Sequence, residues 1–148
     1  MINEYFENSE VKEEYEKEFI SIFNGWLGEK NLYKLGEVTE QDWLKFNTLL
    51  NEIVNNYKTY SVNSSNETCN LVKNLSEITS TYNESMNKEA SQFTKLIIPE
   101  LHSVLTEDWN YTYILWHKKN GAINELAPLI KSAGLYQFNE KYYQDYSR

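Results

Sequence analysis

Cysteine occurs once, at Cys69, so no internal disulfide can form and no cysteine-based metal site can be assembled. Proline occurs twice and glycine five times, whereas a sandwich or barrel of many short strands needs turn residues in quantity. Arginine is confined to Arg148, which removes from the body of the chain the guanidinium forks that grip phosphates and read guanine edges. With a formal net charge of -8, neither nucleic acid nor an anionic membrane surface is an expected partner. No apolar run approaches the ~20 residues of a membrane span, and Met1-Ile2-Asn3-Glu4 has neither the basic region nor the apolar run of a secretory leader. The expected location is therefore cytoplasmic, and the N-x-S/T matches beginning at Asn63, Asn66, Asn74, Asn83 and Asn110 read as chance in an Asn-rich chain. Also missing are the strings G-x-S-x-G, G-x-G-x-x-G and G-x-x-x-x-G-K, so no nucleophile elbow or phosphate cradle is written in the sequence.

What is there suffices for one core. The 148 residues are 41% hydrophobic and 24% charged, and a chain of this length buries roughly 68–70% of its unfolded surface. No repeat and no linker divides it, so residues 1–148 are expected to form a single domain. Acid is concentrated at the start: Glu4, Glu7, Glu10, Glu13, Glu14, Glu16 and Glu18 stand against Lys12 and Lys17, seven against two, or -5. Aromatics are abundant, with 4 Trp, 12 Tyr and 6 Phe. The heavy use of Asn, Lys, Tyr, Ile and Glu fits an A+T-rich genome of a bacterium, mobile element or phage.

Apolar spacing predicts an all-α fold, a bundle of five to six helices. Val11, Tyr15, Phe19, Ile22 and Trp26 step by three or four and predict a first helix over 9–26, with Ser9 as N-cap. The run Gly25-Trp26-Leu27-Gly28 breaks that pattern, and a loop or single turn follows to Gly36. Thr39, with Asp42 three residues on, predicts the cap of a second helix reaching about Tyr60 through Trp43, Phe46, Leu50 and Ile53. Val72, Leu75, Tyr82, Met86, Ala90, Phe93 and Ile97 predict a long central helix over about 68–98, kinked or restarted at Pro99. Leu101, Leu105, Trp109, Tyr113 and Trp116 predict a further helix to Lys119. Ala122 to Ala133 predicts a shorter one interrupted by Pro128 and ended by Gly134, and 136–146 a last docking segment.

Chemistry is sparse. Neither His102 nor His117 completes a Glu-x-x-His pair, and fifteen positions on one helix separate them by about 22 Å. No metal and no cofactor is expected. Glu107-Asp108-Trp109 is the one place where acids abut a large aromatic, and it reads first as a solvated helix turn.

The leading expectation is a non-enzymatic, acidic protein-binding module of the inhibitor, immunity or anti-defence kind, acting on a basic protein partner. Its binding residues are expected to be Glu10, Glu13, Glu14 and Glu18 of the first helix with Tyr111, Tyr142, Tyr143 and Tyr146, because charge complementarity selects partners and tyrosine is enriched at interfaces. Two alternatives stay open. One is an assembly protein, a homo-oligomer paired through the long helix. The other is an enzyme or ligand-binding bundle whose site, from His102, His117, Glu107 and Asp108, is assembled across the sequence.

Overall fold

A computed structural model describes residues 1–118 and 121–139. In chain order it contains α1 (Ile2–Tyr5), β1 (Phe6–Glu7), β2 (Glu10–Val11), β3 (Glu16–Ser21), α2 (Glu40–Asn56), β4 (Tyr60–Asn63), β5 (Thr68–Leu71), α3 (Tyr82–Met86), β6 (Lys95–Ile98), β7 (Ser103–Asp108), β8 (Thr112–His117), α4 (Gly121–Ser132) and β9 (Tyr136–Phe138). Seven of the strands form one antiparallel sheet in the order β5-β4-β6-β7-β8-β3-β9. The expected all-α bundle is therefore wrong, and the fold is a mixed α/β architecture.

Alternation along each strand gives the sheet two faces. On the inner face Ile20, Leu105, Tyr113 and Leu115 pack against Phe46, Leu50 and Ile53 of α2 and Leu126 and Ile130 of α4. The outer face is covered in two patches. Tyr5, Phe6 and Tyr15 from the N-terminal segment close over Ile97 and Val104, while Trp26 lies against Phe19, Ile114 and Phe138. Among the described residues no helix is long and apolar enough to cross a membrane.

Several of the corrections share a cause. A step of four keeps a side chain on one face of a helix, but four is also an even number and keeps it on one face of a strand. Val11, Tyr15 and Phe19 thus fit β2, a turn and β3 as well as the helix expected over 9–26. Leu105 and Tyr113, read as one helical face, sit on the inner face of β7 and β8, antiparallel neighbours. The central helix over 68–98 does not exist. That stretch holds β5, a 3-10 turn at Leu75–Glu77, the five-residue α3, a second 3-10 turn at Ala90–Gln92, and β6. Pro99 opens a 3-10 turn, Pro99–Leu101, between β6 and β7 instead of kinking a helix. Residues 29–37, expected as a loop or single turn, form a 3-10 helix, Glu29–Glu37. Of the last expected segment Tyr136–Phe138 is β9, and positions from 140 onward lie outside the described residues.

Two helices start close to where the sequence places them, although α2 ends at Asn56 and Tyr60, expected at its end, opens β4. The Thr39 hydroxyl accepts from the Asp42 amide at 3.3 Å and the Asp42 carboxylate accepts from the Thr39 amide at 3.0 Å, which closes a capping box at the start of α2. α4 continues through Pro128 rather than being interrupted by it, and Gly134, at φ 83°, follows its end.

Candidate functional site

The end of the β7–β8 hairpin is built around an acid inside the protein. Alternation that places Leu105 on the inner face places Glu107 there too, opposite Tyr113, and Glu107 is only 7% exposed. An ionised carboxylate survives burial only when paired and hydrogen-bonded. Lys88 Nζ lies 3.0 Å from its Oε1, the Thr94 amide donates to the same oxygen at 2.9 Å, and the Ser85 hydroxyl donates to Oε2 at 3.2 Å. These partners come from α3 and from the segment leading into β6, so one carboxylate holds both against the sheet. Burial, and then the Glu107 charge beside it, drive the Tyr113 phenol far above the ordinary tyrosine range.

Beyond Asp108 the chain reverses through a turn in which Asn110 (φ 60°) and Tyr111 (φ 59°) are both left-handed. Left-handed backbone costs an L-residue about 1–2 kcal/mol, less for asparagine, so tyrosine there needs compensation. The Tyr111 carbonyl accepts the Ser21 hydroxyl at 3.0 Å, and its ring meets those of Tyr82 and Trp43 edge-on at 6.1 and 6.5 Å. The Tyr82 and Tyr111 hydroxyls are 3.0 Å apart. Burial, and then this hydroxyl contact, push the Tyr111 phenol up to about 12.

The supported turn presents an aromatic platform. Trp109 is 58% exposed and stands edge-on to Phe93 at 4.7 Å, while Met86, 46% exposed, lies against the Tyr111 hydroxyl. Asp108 adjoins Trp109 in sequence, and Glu89 precedes Phe93 by four positions.

Raised phenol pKa values couple this site to alkaline stability. With both folded values above the unfolded value near 10, the stabilisation is complete below pH ~10 and is lost as pH rises through the folded values. Absorbance at 295 nm is expected to show a late tyrosine step coincident with loss of far-UV circular dichroism. A single early step, with the dichroism intact beyond pH ~12, would contradict the burial of these phenols.

The expected binding residues are dispersed rather than aligned on one helix. Glu10 is in β2, directly opposite Glu7 of β1. Glu13 and Glu14 follow in a turn, and Glu7, Glu10, Glu13 and Glu14 line one open groove of about 670 Å³. Glu14 accepts Lys118 at 3.1 Å. Glu18 leaves this group: it alternates with Phe19 onto the inner side of β3, where burial raises its carboxyl pKa against the lowering influence of His117. Tyr111 belongs to the hairpin site, and Tyr142, Tyr143 and Tyr146 lie outside the described residues.

The four positions weighed for a catalytic site do not converge. His102 and His117 share one end of the β7–β8 hairpin, with Val104 opposite Trp116, while Glu107 and Asp108 occupy the other end, with Asp108 opposite Thr112. His117 is 3% exposed, whereas His102 is exposed at a left-handed position. Among the described residues no three His, Cys, Asp or Glu side chains gather so as to hold a metal ion.

Sequence reasoning missed Lys88, Ser85, Thr94 and Phe93, since each meets its partner across thirteen positions or more. The signal that did exist was Glu107-Asp108-Trp109, an acid pair running into an indole, although the expected solvated turn is in fact a buried acid. Neither a family model, a curated protein nor a solved structure matches the chain.

Proposed function

We propose that the chain is a cytoplasmic protein-binding module that captures a basic protein through the Trp109 platform, in the manner of an inhibitor or immunity-type protein. The observation that carries this reading is a largely exposed indole on a support built from a buried ion pair and a left-handed tyrosine. Tryptophan, tyrosine and methionine are residue types enriched where binding energy concentrates, and rigid support lowers the ordering entropy a partner must overcome.

Charge gives the partner its sign. Asp108 alternates with Val104 and Thr106 onto the outer face, the face that also carries the N-terminal hairpin. Glu7 and Glu10 face each other across that hairpin, a like-charge pair that is unfavourable in itself, with the Lys95 ammonium acting on Glu10. Glu7, Glu10 and Glu13 form no ion pair among the described residues, whereas Lys118 is held by Glu14 and Lys95 donates to Ser9 and Ser64. The outer face therefore attracts cations, and its attraction is screened by salt.

The test is affinity chromatography of source-cell protein on the immobilised chain, eluted with rising NaCl, followed by calorimetry on the eluted protein. Trp109→Ala is expected to weaken binding roughly thirtyfold or more, the range of an anchor residue. Glu10→Lys with Glu13→Lys is expected to slow association and flatten the salt dependence. A captured protein whose affinity ignores all three substitutions would overturn the reading.

A further inference from the structure

The outer face also carries a groove of about 800 Å³, between the β3–β9 edge and the segment after β3. Phe19 and Phe138 form its floor; Trp26 stands edge-on to both, with ring centroids 4.8 and 5.1 Å away. The opposite wall is the 3-10 helix Glu29–Glu37, and it is unusual in two respects. It runs for nine residues, where 3-10 runs beyond three or four are uncommon. It also buries none of its side chains, although Leu32, Tyr33 and Leu35 are among them.

The 3-10 geometry explains which way that segment faces. At three residues per turn, side chains three apart eclipse, so Leu32 and Leu35 share one side, and both line the groove. Leu32 is nevertheless 51% exposed, which leaves an apolar wall with water against it. Gly25 (φ 110°) and Gly28 (φ 67°) bracket Trp26 and Leu27 in left-handed backbone that side chains rarely adopt. The Gly25-Trp26-Leu27-Gly28 run is thus the turn that swings an indole over the floor and begins the wall.

The lining also selects the kind of molecule. Its hydroxyls are already engaged: Ser21 donates to the Tyr111 carbonyl at 3.0 Å and accepts the Phe23 amide at 3.2 Å, and Thr112 donates to the Asn110 carbonyl at 3.2 Å. Among the described residues the one ionisable group lining the groove is Glu29, and no lysine or arginine lines it to neutralise an acid. A volume in the range of small-molecule sites, walls of rings and branched chains, and a single negative charge fit an uncharged apolar ligand rather than an anionic amphiphile. We infer that this groove is a binding site for a small neutral apolar molecule, seated between the Phe19, Trp26 and Phe138 rings and the Leu32–Leu35 wall. It adjoins the turn that carries Trp109, sharing Asn110 and Thr112 with it, but does not depend on the function proposed for the Trp109 surface.

Fluorescence titration of the full-length protein with uncharged N-phenyl-1-naphthylamine, in parallel with the anionic probe anilinonaphthalene sulfonate, tests the site. The expected result is saturable, blue-shifted binding of the neutral probe at one site per chain, with the sulfonate at least tenfold weaker. Leu32→Glu, at an exposed position and with far-UV dichroism unchanged, is expected to weaken the neutral probe tenfold or more. Glu29→Lys, also at the surface, is expected to narrow the gap between the two probes. Failure of the neutral probe to bind, or binding indifferent to both substitutions, would overturn the inference. So would neutral-probe binding that emerges only in the full chain carrying Tyr142→Ser, Tyr143→Ser and Tyr146→Ser, because the groove would then be the seat of the chain's own last residues.

Discussion

Replacing Lys88 with methionine is expected to lower the stability of the protein by about 3–5 kcal/mol, the range for stranding one member of a buried ion pair. The Glu107 side chain is 3% exposed, against 20% for Lys88. Without the ammonium the carboxylate keeps only the Ser85 hydroxyl and the Thr94 amide, and it lies too deep for water to replace the lost charge. Adding Glu107→Gln to Lys88→Met should restore much of the loss, since no charge then remains inside. Urea unfolding of the three forms measures this directly. A loss for Lys88→Met below about 1 kcal/mol would mean that the pair behaves as a solvated surface contact. The same variant bears on function: it frees α3 and the segment before β6, and the near-ultraviolet dichroism of the Trp109–Phe93 pair should fall with it.

Phe46→Ala is expected to cost a similar amount, about 3–5 kcal/mol, for a different reason. Phe46 is 1% exposed and its ring lies 5.1 Å from that of Tyr113 and 5.3 Å from that of Trp43. With Leu50 and Ile53 it is one of the contacts through which α2 grips the sheet, and its loss leaves a cavity that neither a sheet nor a capped helix can easily collapse. Domains of this size are commonly stable by about 5–15 kcal/mol, so the alanine variant is expected to approach the unfolding threshold at 37 °C. Phe46→Leu, which retains most of the volume, should cost no more than about 1.5 kcal/mol. Equal losses for the two variants in denaturant titration would show that the site closes around the missing ring.

Local signals were legible where the physics is local. The Thr39–Asp42 box satisfies the first amides of α2 with groups three residues apart, and the Trp43, Phe46, Leu50 and Ile53 stripe behind it is long enough to bury one helix side. Strands were misread where the spacing ran in steps of four, as from Val11 to Phe19 and from Leu101 to Tyr113, which suit either period. In β8, moreover, residues of both faces are buried, so Tyr113-Ile114-Leu115-Trp116 is an unbroken apolar run with no alternation to notice, and in β7 the buried positions include Ser103, Thr106 and Glu107, which hide the pattern. Enrichment in Val, Thr, Ile, Tyr and Trp across 103–116 and the Asn110 turn were the available counter-signals.

The candidate site was legible only in part. Tyr111 and the Glu107-Asp108-Trp109 run were visible as unusual, but whether Glu107 met water or Lys88 depended on a pairing nineteen positions apart. The expected acid column dissolved for the same reason. Glu10, Glu13 and Glu14 remain neighbours in an open groove, while strand alternation turns Glu18 to the other side of the sheet.

Composition and local order by themselves determined that the protein is acidic, holds no internal disulfide, is rich in aromatics and begins α2 at Thr39. Those properties depend on residue counts or on groups within one helical turn. Tertiary structure alone decided that the central region is a sheet, that Glu107 is buried against Lys88, and that Trp109 stands exposed on a strained turn. Each of these follows from contacts between segments far apart in the chain, and which segments meet is settled by the energy of the whole core rather than by the preference of any one stretch.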